Sequence, residues 1–472
     1  MQKIAHTAGP PATGYLLTHW DPENSEFWES QGRRIAKRNL WISIPNLLLA
    51  FAVWMVWSVV VVNLPQVGFT YTPNELFWLA ALPALSGATL RIFYSFMVPI
   101  FGGRRWTALS TASLLLPAIG IGLAVQNPAT PFGVMLILAL LCGFGGGNFA
   151  SSMANISFFF PKAQKGTALG LNAGLGNLGV STVQFVVPLV ITAGVFGALG
   201  GDPQTWVKGE VTRQMWLQNA GFIWVPFIVV SALAAWFGMN DLASARASFS
   251  DQAVIFRRKH NWLMCWLYLG TFGSFIGYAA GFPLLIKTQF PAVDPTRYAF
   301  LGPLVGALIR PVGGWLSDKL GGALVTFWNF IAMAAAVFGV LYFLPSGGSG
   351  GNFWGFLVMF MVLFVTTGIG NGSTFRMVPV IFLTERQREA AGKGGVAQEQ
   401  AIKDANKEAA AVLGFSSALG AYGGFFIPKS YGTSIAMTGG PEAALYGFVI
   451  FYASCIVMTW WYYSRKNAEM PC

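Results

Sequence analysis

Twelve apolar runs, each long enough to form a membrane-crossing helix, divide this chain and constrain its fold more than any other feature. A helix needs about 20 apolar residues to cross the hydrocarbon core of a bilayer. Only 10% of the 472 residues are charged, whereas soluble domains carry about 25%. We therefore predict an all-α polytopic membrane protein with spans near 39–63, 75–98, 106–126, 131–159, 166–195, 219–239, 261–286, 296–316, 323–344, 353–382, 409–432 and 443–464.

Two arginines lie alone inside these apolar runs. Arg91 ends the segment Gly-Ala-Thr-Leu-Arg, and Arg310 ends Gly-Ala-Leu-Ile-Arg 219 residues later; a Gly-Gly pair follows each at the same spacing. An arginine at the centre of a membrane helix costs at least about 2.5–3.5 kcal/mol, so it needs a compensating role. Two arginines at repeat-related positions predict one central site with paired positive charge and an anionic substrate.

Lysine and arginine are distributed unevenly over the polar segments between the spans. Successive polar segments lie on alternate sides of the membrane. Those on one side carry twenty of these residues, including Arg246, and those on the other carry only Lys208, Arg213, Lys287, Arg297 and Lys429. The positive-inside rule therefore predicts that both termini are cytoplasmic. We expect a cytoplasmic N-terminal segment (1–38), a six-helix half (39–239), a cytoplasmic linker (240–260), a second six-helix half (261–464) and a cytoplasmic tail (465–472).

The polar stretch 383–408, rich in Glu, Lys, Gln and Ala, is predicted to be a cytoplasmic helix or a flexible loop. Other residue patterns argue against several protein classes. The four cysteines form no CxxC or paired pattern, so neither disulfides nor a metal site are expected. The net charge of +11 is scattered over loops, which does not favour a nucleic-acid partner. No nucleophile–base pair or cofactor motif indicates an enzyme, and the polar N-terminus does not resemble a cleavable signal peptide.

The loops after the second and eighth spans are similar to the G-x-L-x-D-[RK]-x-G-[RK] loop of the major facilitator superfamily. The second loop keeps the acidic residue, Asp318, whereas the first, which contains Arg104 and Arg105, has none. We therefore expect a charge-relay gate to be weakened in the first half. The alternative is that both loops are short basic turns.

Glycine-rich stretches repeat between the halves, and with them the chain resembles the nitrate/nitrite porter family of the NarK type over essentially its whole length. Residues 143–147 parallel 368–372, and 169–176 parallel 413–420. The resemblance implies a twelve-helix transporter in two halves, acting as a monomer in the bacterial inner membrane. Glycines allow close, smooth helix contacts, so we predict a conformational role between the halves for Gly143, Gly145, Gly147, Gly170, Gly174, Gly176, Gly368, Gly370 and Gly372. Static packing is the alternative.

The same resemblance implies a substrate site for nitrate and nitrite. Arg91 and Arg310 match paired arginines that would hold the anion, and a planar guanidinium suits a planar oxyanion. The remaining residues that the resemblance places in the site are Asn177, Ser417, Gly146, Phe149, Tyr268, Phe272, Phe51 and Phe375. The alternative for each aromatic is a place in the core or against lipid.

Glu75 lies at the very start of the second predicted span, and otherwise no acidic residue or histidine falls within the predicted spans. Proton-coupled carriers commonly place such residues in the membrane as a relay. With two unpaired arginines, reorientation of the empty site should be unfavourable, so we predict obligate exchange of nitrate for nitrite.

Arg376 departs from the glutamine that we associate with this position in exchangers of the family. The side chain could snorkel to the lipid headgroups, which we favour, or add a third cation near the exit path. This departure leaves nitrate/proton symport open as the alternative mechanism. A membrane nitrate sensor is a remote alternative.

Overall fold

The computed structural model describes residues 14–245, 253–345 and 350–472. Arg246 and part of the predicted 240–260 linker lie outside these ranges, as does the start of the predicted N-terminal segment. Twelve helices within the described ranges are long and apolar enough to cross a membrane. They are α1 Ser25–Val60, α2 Pro73–Tyr94, α3 Gly103–Ala124, α4 Phe132–Phe159, α5 Lys162–Val190, α6 Asn219–Gly238, α7 Lys259–Gln289, α8 Pro295–Leu320, α9 Gly322–Phe343, α10 Phe353–Glu389, α11 Gly395–Thr438 and α12 Glu442–Ser464.

The first helix begins well before the predicted span at residue 39. The Asn24 side chain accepts hydrogen bonds from the backbone N–H groups of Glu26 and Phe27 at 3.0 and 3.1 Å, so it caps the start of α1. Capping satisfies N–H groups that have no partner inside the helix. The hydropathy of the sequence marked only the apolar part of a longer helix, because polar residues continue a helix outside the bilayer.

The polar stretch 383–408, predicted as a separate helix or a loop, instead completes α10 and begins α11 after a short turn. A cluster of charges joins these extensions to the start of α7. Arg258 contacts Glu385, Glu389 and Glu408, and Arg386 also contacts Glu408, whose side chain is only 5% exposed. Buried charges of opposite sign must be paired to be tolerated, so this cluster fixes the ends of α7, α10 and α11 together.

Four short strands were not predicted. Strands β2 (Gln204–Lys208) and β3 (Val211–Met215) form an antiparallel hairpin between α5 and α6. Strands β1 (Leu16–Leu17) and β4 (Asp241–Leu242) pair in parallel and attach the N-terminal segment to the chain after α6.

The two halves, α1–α6 and α7–α12, are joined by polar bonds at the face opposite the termini. Odd-numbered helices run toward this face, so the late residues of α5, α7 and α11 and the first residues of α2 and α8 meet there. The bonds are Lys429 Nζ to Asn74 Oδ1 (3.1 Å), Gln184 Nε2 to the carbonyl of Ala279 (2.8 Å), and Lys287 Nζ to the carbonyl of Val62 and to Gln66. Aromatic pairs such as Phe185–Phe300, with centroids 5.1 Å apart, add apolar contact. We call this face the closed face.

Each of the two loops that resemble the superfamily motif takes part in an ion pair near the opposite face, where the termini lie. In the first half Arg104 Nε lies 3.3 Å from Asp241 Oδ2, and both side chains are buried. The predicted weakening of the first loop for want of an acid is therefore wrong, because the chain after α6 supplies Asp241 from 137 residues away. The carboxylate also accepts a hydrogen bond from the backbone N–H of Arg104 at 2.8 Å.

The second ion pair joins Arg376 in α10 to Asp318 at the end of α8. The Arg376 Nε lies 2.5 Å from Asp318 Oδ1, and both side chains are about half exposed. The favoured prediction that Arg376 snorkels alone, and its alternative of a third free cation, both missed this carboxylate. Because Asp318 neutralises Arg376, the positive charge at the centre of the molecule comes from Arg91 and Arg310.

Candidate anion-binding site

The side chain of Arg91 lies between the two halves and is only 1% exposed. Its Nε donates to the carbonyl of Gly146 in α4 at 2.8 Å. Its Nη1 donates to the carbonyl of Ser417 in α11, in the other half, at 3.0 Å. The predicted site thus includes Ser417 through its backbone, since the Ser417 hydroxyl donates to the carbonyl of Gly414 at 2.8 Å instead.

Arg310 occupies the equivalent position in α8 and is partly buried. Its Nη2 lies 3.4 Å from the hydroxyl of Tyr268, a long and weak hydrogen bond. Its guanidinium carbon lies 5.4 Å from the centre of the Phe375 ring. Arg310 is therefore held much more loosely than Arg91.

Each arginine keeps one guanidinium nitrogen that is buried without a hydrogen-bond partner: Nη2 of Arg91 and Nη1 of Arg310. Among the described residues, no carboxylate lies within 4.0 Å of either guanidinium. A buried donor without a partner is costly, and a charged donor more so. These two nitrogens are therefore the groups that an oxyanion would satisfy.

Aromatic rings surround the Arg91 guanidinium. The guanidinium carbon lies 4.7 Å from the centre of Phe149, 5.1 Å from Trp54 and 5.2 Å from Phe272. Cation–π attraction stabilises the charge when no carboxylate is near. The rings also exclude water, which strengthens electrostatic interactions within the site.

A turn of π-helix, Leu269–Gly273, interrupts α7 at the level of the arginines. Tyr268 and Phe272 lie at this turn with their rings stacked, 19° apart in plane and with centroids separated by 5.4 Å. π-Turns inside α-helices occur frequently at functional sites. Through this pair, the ring beside Arg91 is connected to the hydroxyl that contacts Arg310.

The other predicted site residues differ in how they contact the residues around the arginines. Phe51 is fully buried and packs edge-on against Phe149 at 6.0 Å. Asn177 is 2% exposed and its Oδ1 has no partner. Among the described residues, Asn177 is not hydrogen-bonded to either arginine, so its amide stays a predicted ligand.

Trp54 is the main site residue that the sequence interpretation missed. Its Nε1 donates to the carbonyl of Pro83 at 2.7 Å, a carbonyl near the proline kink of α2. A Cβ atom at Gly87 or Gly146 would lie 2.6 Å from the Trp54 ring, so only glycine fits at both positions. The spacing Phe51 to Trp54, one helical turn, was a usable signal.

The glycines of α4 and α10 pack inside each half, which differs from the predicted contact between halves. A Cβ atom at Gly143 would meet Ser86, and one at Gly372 would lie 2.3 Å from the carbonyl of Arg310 itself. The members that pack tightly within a half are Gly143, Gly145, Gly147, Gly176, Gly368, Gly370 and Gly372. These glycines bring α2 and α8, which carry the arginines, close to their neighbours.

Gly170 and Gly174 in α5 behave differently from that group. A Cβ atom at either position would meet nothing within 4 Å, and the same holds for Gly414 in α11. These positions lie toward the face with the termini. They remain candidates for contacts that form in another conformation.

The histidine of α7 and the glutamates that form ion pairs in α10 and α11 lie away from the central arginines. His260 is in the first turn of α7, not outside the span as predicted, and its Nδ1 lies 2.9 Å from the hydroxyl of Tyr463. Glu385 and Glu389 of α10 and Glu408 of α11 belong to the cluster around Arg258 and Arg386. No group of three or more His, Cys, Asp or Glu side chains in the described ranges could hold a metal ion.

These features, twelve membrane-spanning helices in two halves around a buried cationic site, define a transporter of the alternating-access class. A sequence model of the Major Facilitator Superfamily matches residues 47–397. The nitrate/nitrite transporter NarU of Escherichia coli is 56% identical over 96% of this chain and 97% of its own length. The probable nitrate/nitrite antiporter NarK2 of Thermus thermophilus is 44% identical over 98% and 99%.

The chain belongs to the major facilitator superfamily and, within it, to the nitrate/nitrite porter family. Its fold is also similar to a solved bacterial homolog of the human lysosomal transporter Spinster. That similarity has a TM-score of 0.58 at 14% sequence identity and covers 89% of this chain and 92% of the other. It concerns the fold alone.

Proposed function

We propose that this protein transports nitrate and nitrite across the bacterial cytoplasmic membrane as an exchanger, and is not an enzyme. The observation that carries the proposal is the pair of buried, unpartnered guanidinium nitrogens on Arg91 and Arg310. Nitrate and nitrite are flat monoanions, and two planar donors can bind them through charge-assisted hydrogen bonds. The similarity to the nitrate/nitrite transporter NarU and the probable nitrate/nitrite antiporter NarK2 supports this choice among oxyanions.

The bonds of Arg91 support a direct role of the anion in changing conformation. Arg91 donates to Gly146 in its own half and to Ser417 in the other, while Arg310 contacts only residues of its own half. An anion bound to both guanidinium groups would add a link across the halves. Alternating access around a fixed central site requires such a link to change with occupancy.

Exchange follows from the charges around the site. With no carboxylate nearby, the empty site holds two positive charges in surroundings of low polarity. Moving the two halves to enclose this uncompensated charge during reorientation is therefore unfavourable. A bound anion neutralises part of this charge and lowers the barrier to reorientation. The protein should therefore switch readily between its two open conformations only when nitrate or nitrite is bound.

The distribution of lysine and arginine supports a cytoplasmic location for the face with the termini. The closed face would then be periplasmic, and the site would be reached from the cytoplasm in this conformation. Gly170, Gly174 and Gly414, which have open space beside them, would be covered when the cytoplasmic face closes.

The test is uptake of labelled nitrate into proteoliposomes that contain nitrite, nitrate or an inert anion, without a pH gradient. Exchange requires uptake with internal nitrite or nitrate and little uptake with the inert anion. Equal uptake with the inert anion, increased by an acidic exterior, would establish proton symport and refute the charge argument. Nitrate binding without any uptake would instead indicate a sensor.

A further inference from the structure

A cavity of about 190 Å³ lies at the closed face on the boundary between the two halves. The end of α1, the end of α5 and the β2–β3 hairpin line it from the first half, and Lys287 and residues 293–296 line it from the second. One buried water needs only about 10–15 Å³. The cavity therefore has room for a small ion with part of its hydration shell.

Three cations line this cavity and none is paired with a carboxylate. Lys208 Nζ donates to the carbonyl of Pro291 at 2.7 Å, and the Arg213 guanidinium stacks over Trp206 at 4.0 Å. Lys287 donates to the carbonyl of Val62 and to Gln66. All of these partners are neutral, so the positive charge is not compensated.

The one acidic residue in the lining, Asp294, already has hydrogen-bond and ion-pair partners. Its Oδ1 accepts hydrogen bonds from the backbone N–H and the hydroxyl of Thr296 at 3.1 and 2.6 Å. Its Oδ2 lies 3.7 Å from Nε of Arg297, outside the cavity. The cavity thus combines three cations with one engaged anion, an arrangement that concentrates small anions.

We infer that this cavity is an outer binding site for a small monovalent oxyanion, filled before the central site opens to the closed face. The inference rests on the proposed function for the identity of the anion, nitrate. Lys208 and Arg213 would attract the anion, and Lys287, which bridges the halves, would exchange its neutral partners for it. Binding here would therefore weaken one of the bonds that hold this face shut.

The test compares Lys208→Gln and Arg213→Gln with Glu210→Gln, a control on the same hairpin. Glu210 is exposed in the turn between β2 and β3 and does not line the cavity. We expect each cavity variant to raise the KM for nitrate supplied at the hairpin face about three- to ten-fold at low ionic strength, with little change in maximal rate. The KM for the anion supplied at the other face should not change, and Glu210→Gln should not raise the KM at either face. High salt should remove the difference, since screening shortens the range of surface charges.

A chemical rescue separates loss of charge from misfolding. Lys208→Cys, in a Cys472→Ser background, is treated from outside with an impermeant thiol reagent that carries either a trimethylammonium or a sulfonate group. The other cysteines are buried. The cationic group should restore the KM and the anionic group should raise it further. Equal effects of the two reagents, or KM values within two-fold of wild type for both glutamine variants, would overturn the inference. Wild-type protein that exchanges no nitrate would refute the proposed function instead.

Discussion

Replacing each central arginine by lysine tests the proposed geometry, because lysine keeps the positive charge but lacks the planar guanidinium group with its several donors. Arg91 makes two hydrogen bonds to carbonyl groups and keeps a third donor for the anion. An ammonium group cannot occupy all three positions. Each lost bond to a charged group is worth about 1.5–3 kcal/mol. That range corresponds to about a ten- to 150-fold loss of nitrate affinity.

The two substitutions should differ in their effect on stability. Arg91→Lys removes a bond between the halves, so it should lower both nitrate affinity and the Tm of the purified protein. Within the described residues the one hydrogen bond of Arg310 is the long one with Tyr268, so Arg310→Lys should lower affinity with little change in Tm. Arg297→Lys, an exposed substitution, should change neither.

Calorimetric titration with nitrate and thermal unfolding in the same detergent measure both quantities. Nitrate affinity within two-fold of wild type in Arg310→Lys would refute a planar two-arginine site. Equal losses of Tm in the two central variants would show that the bond from Arg91 to Ser417 does not join the halves as described.

Three further tests, with five substitutions, examine the surroundings of the site. Gly176→Ala places a Cβ atom 2.6 Å from the Leu47 side chain and should cost about 1–3 kcal/mol, whereas Gly174→Ala should leave Tm unchanged; equal Tm values would contradict the packing. Asp241→Asn breaks a buried ion pair and should cost about 3–5 kcal/mol, but Asp318→Asn, in an exposed pair, at most about 1 kcal/mol, as thermal unfolding can show. Lys429→Met removes a bond across the closed face, so spin-label distances across that face should lengthen on average; an unchanged distance distribution would show that the bond does not keep it shut.

The sequence was sufficient for the twelve helices and for the central arginines because those signals are local or repeated. Hydropathy marks each span within one window, and the same pentapeptide pattern occurs before Arg91 and before Arg310. The length of α10 and α11 was missed because their polar extensions are held by the Arg258 cluster. That cluster joins residues far apart in the chain.

Contacts between distant segments account for the remaining errors at the site. Nothing near Arg104 in the sequence indicates that Asp241 is its partner, and nothing around Ser417 shows that its carbonyl rather than its hydroxyl meets Arg91. The closed face depends on which of several conformations the halves adopt. One sequence encodes all of these conformations, so no pattern in it selects one.

The length of α10 makes it a natural reporter of movement. Its 37 residues span about 55 Å at 1.5 Å per residue, well beyond the membrane. The Arg258 and Arg386 contacts fix its far end to α7 and α11. The end at Glu389 lies about 21 Å beyond Phe375 at the substrate level, so each 10° of rotation of the second half would displace it about 4 Å. A spectroscopic probe at Glu389 would therefore undergo a larger displacement than one at the substrate site, and it would detect rotations that are too small to measure there.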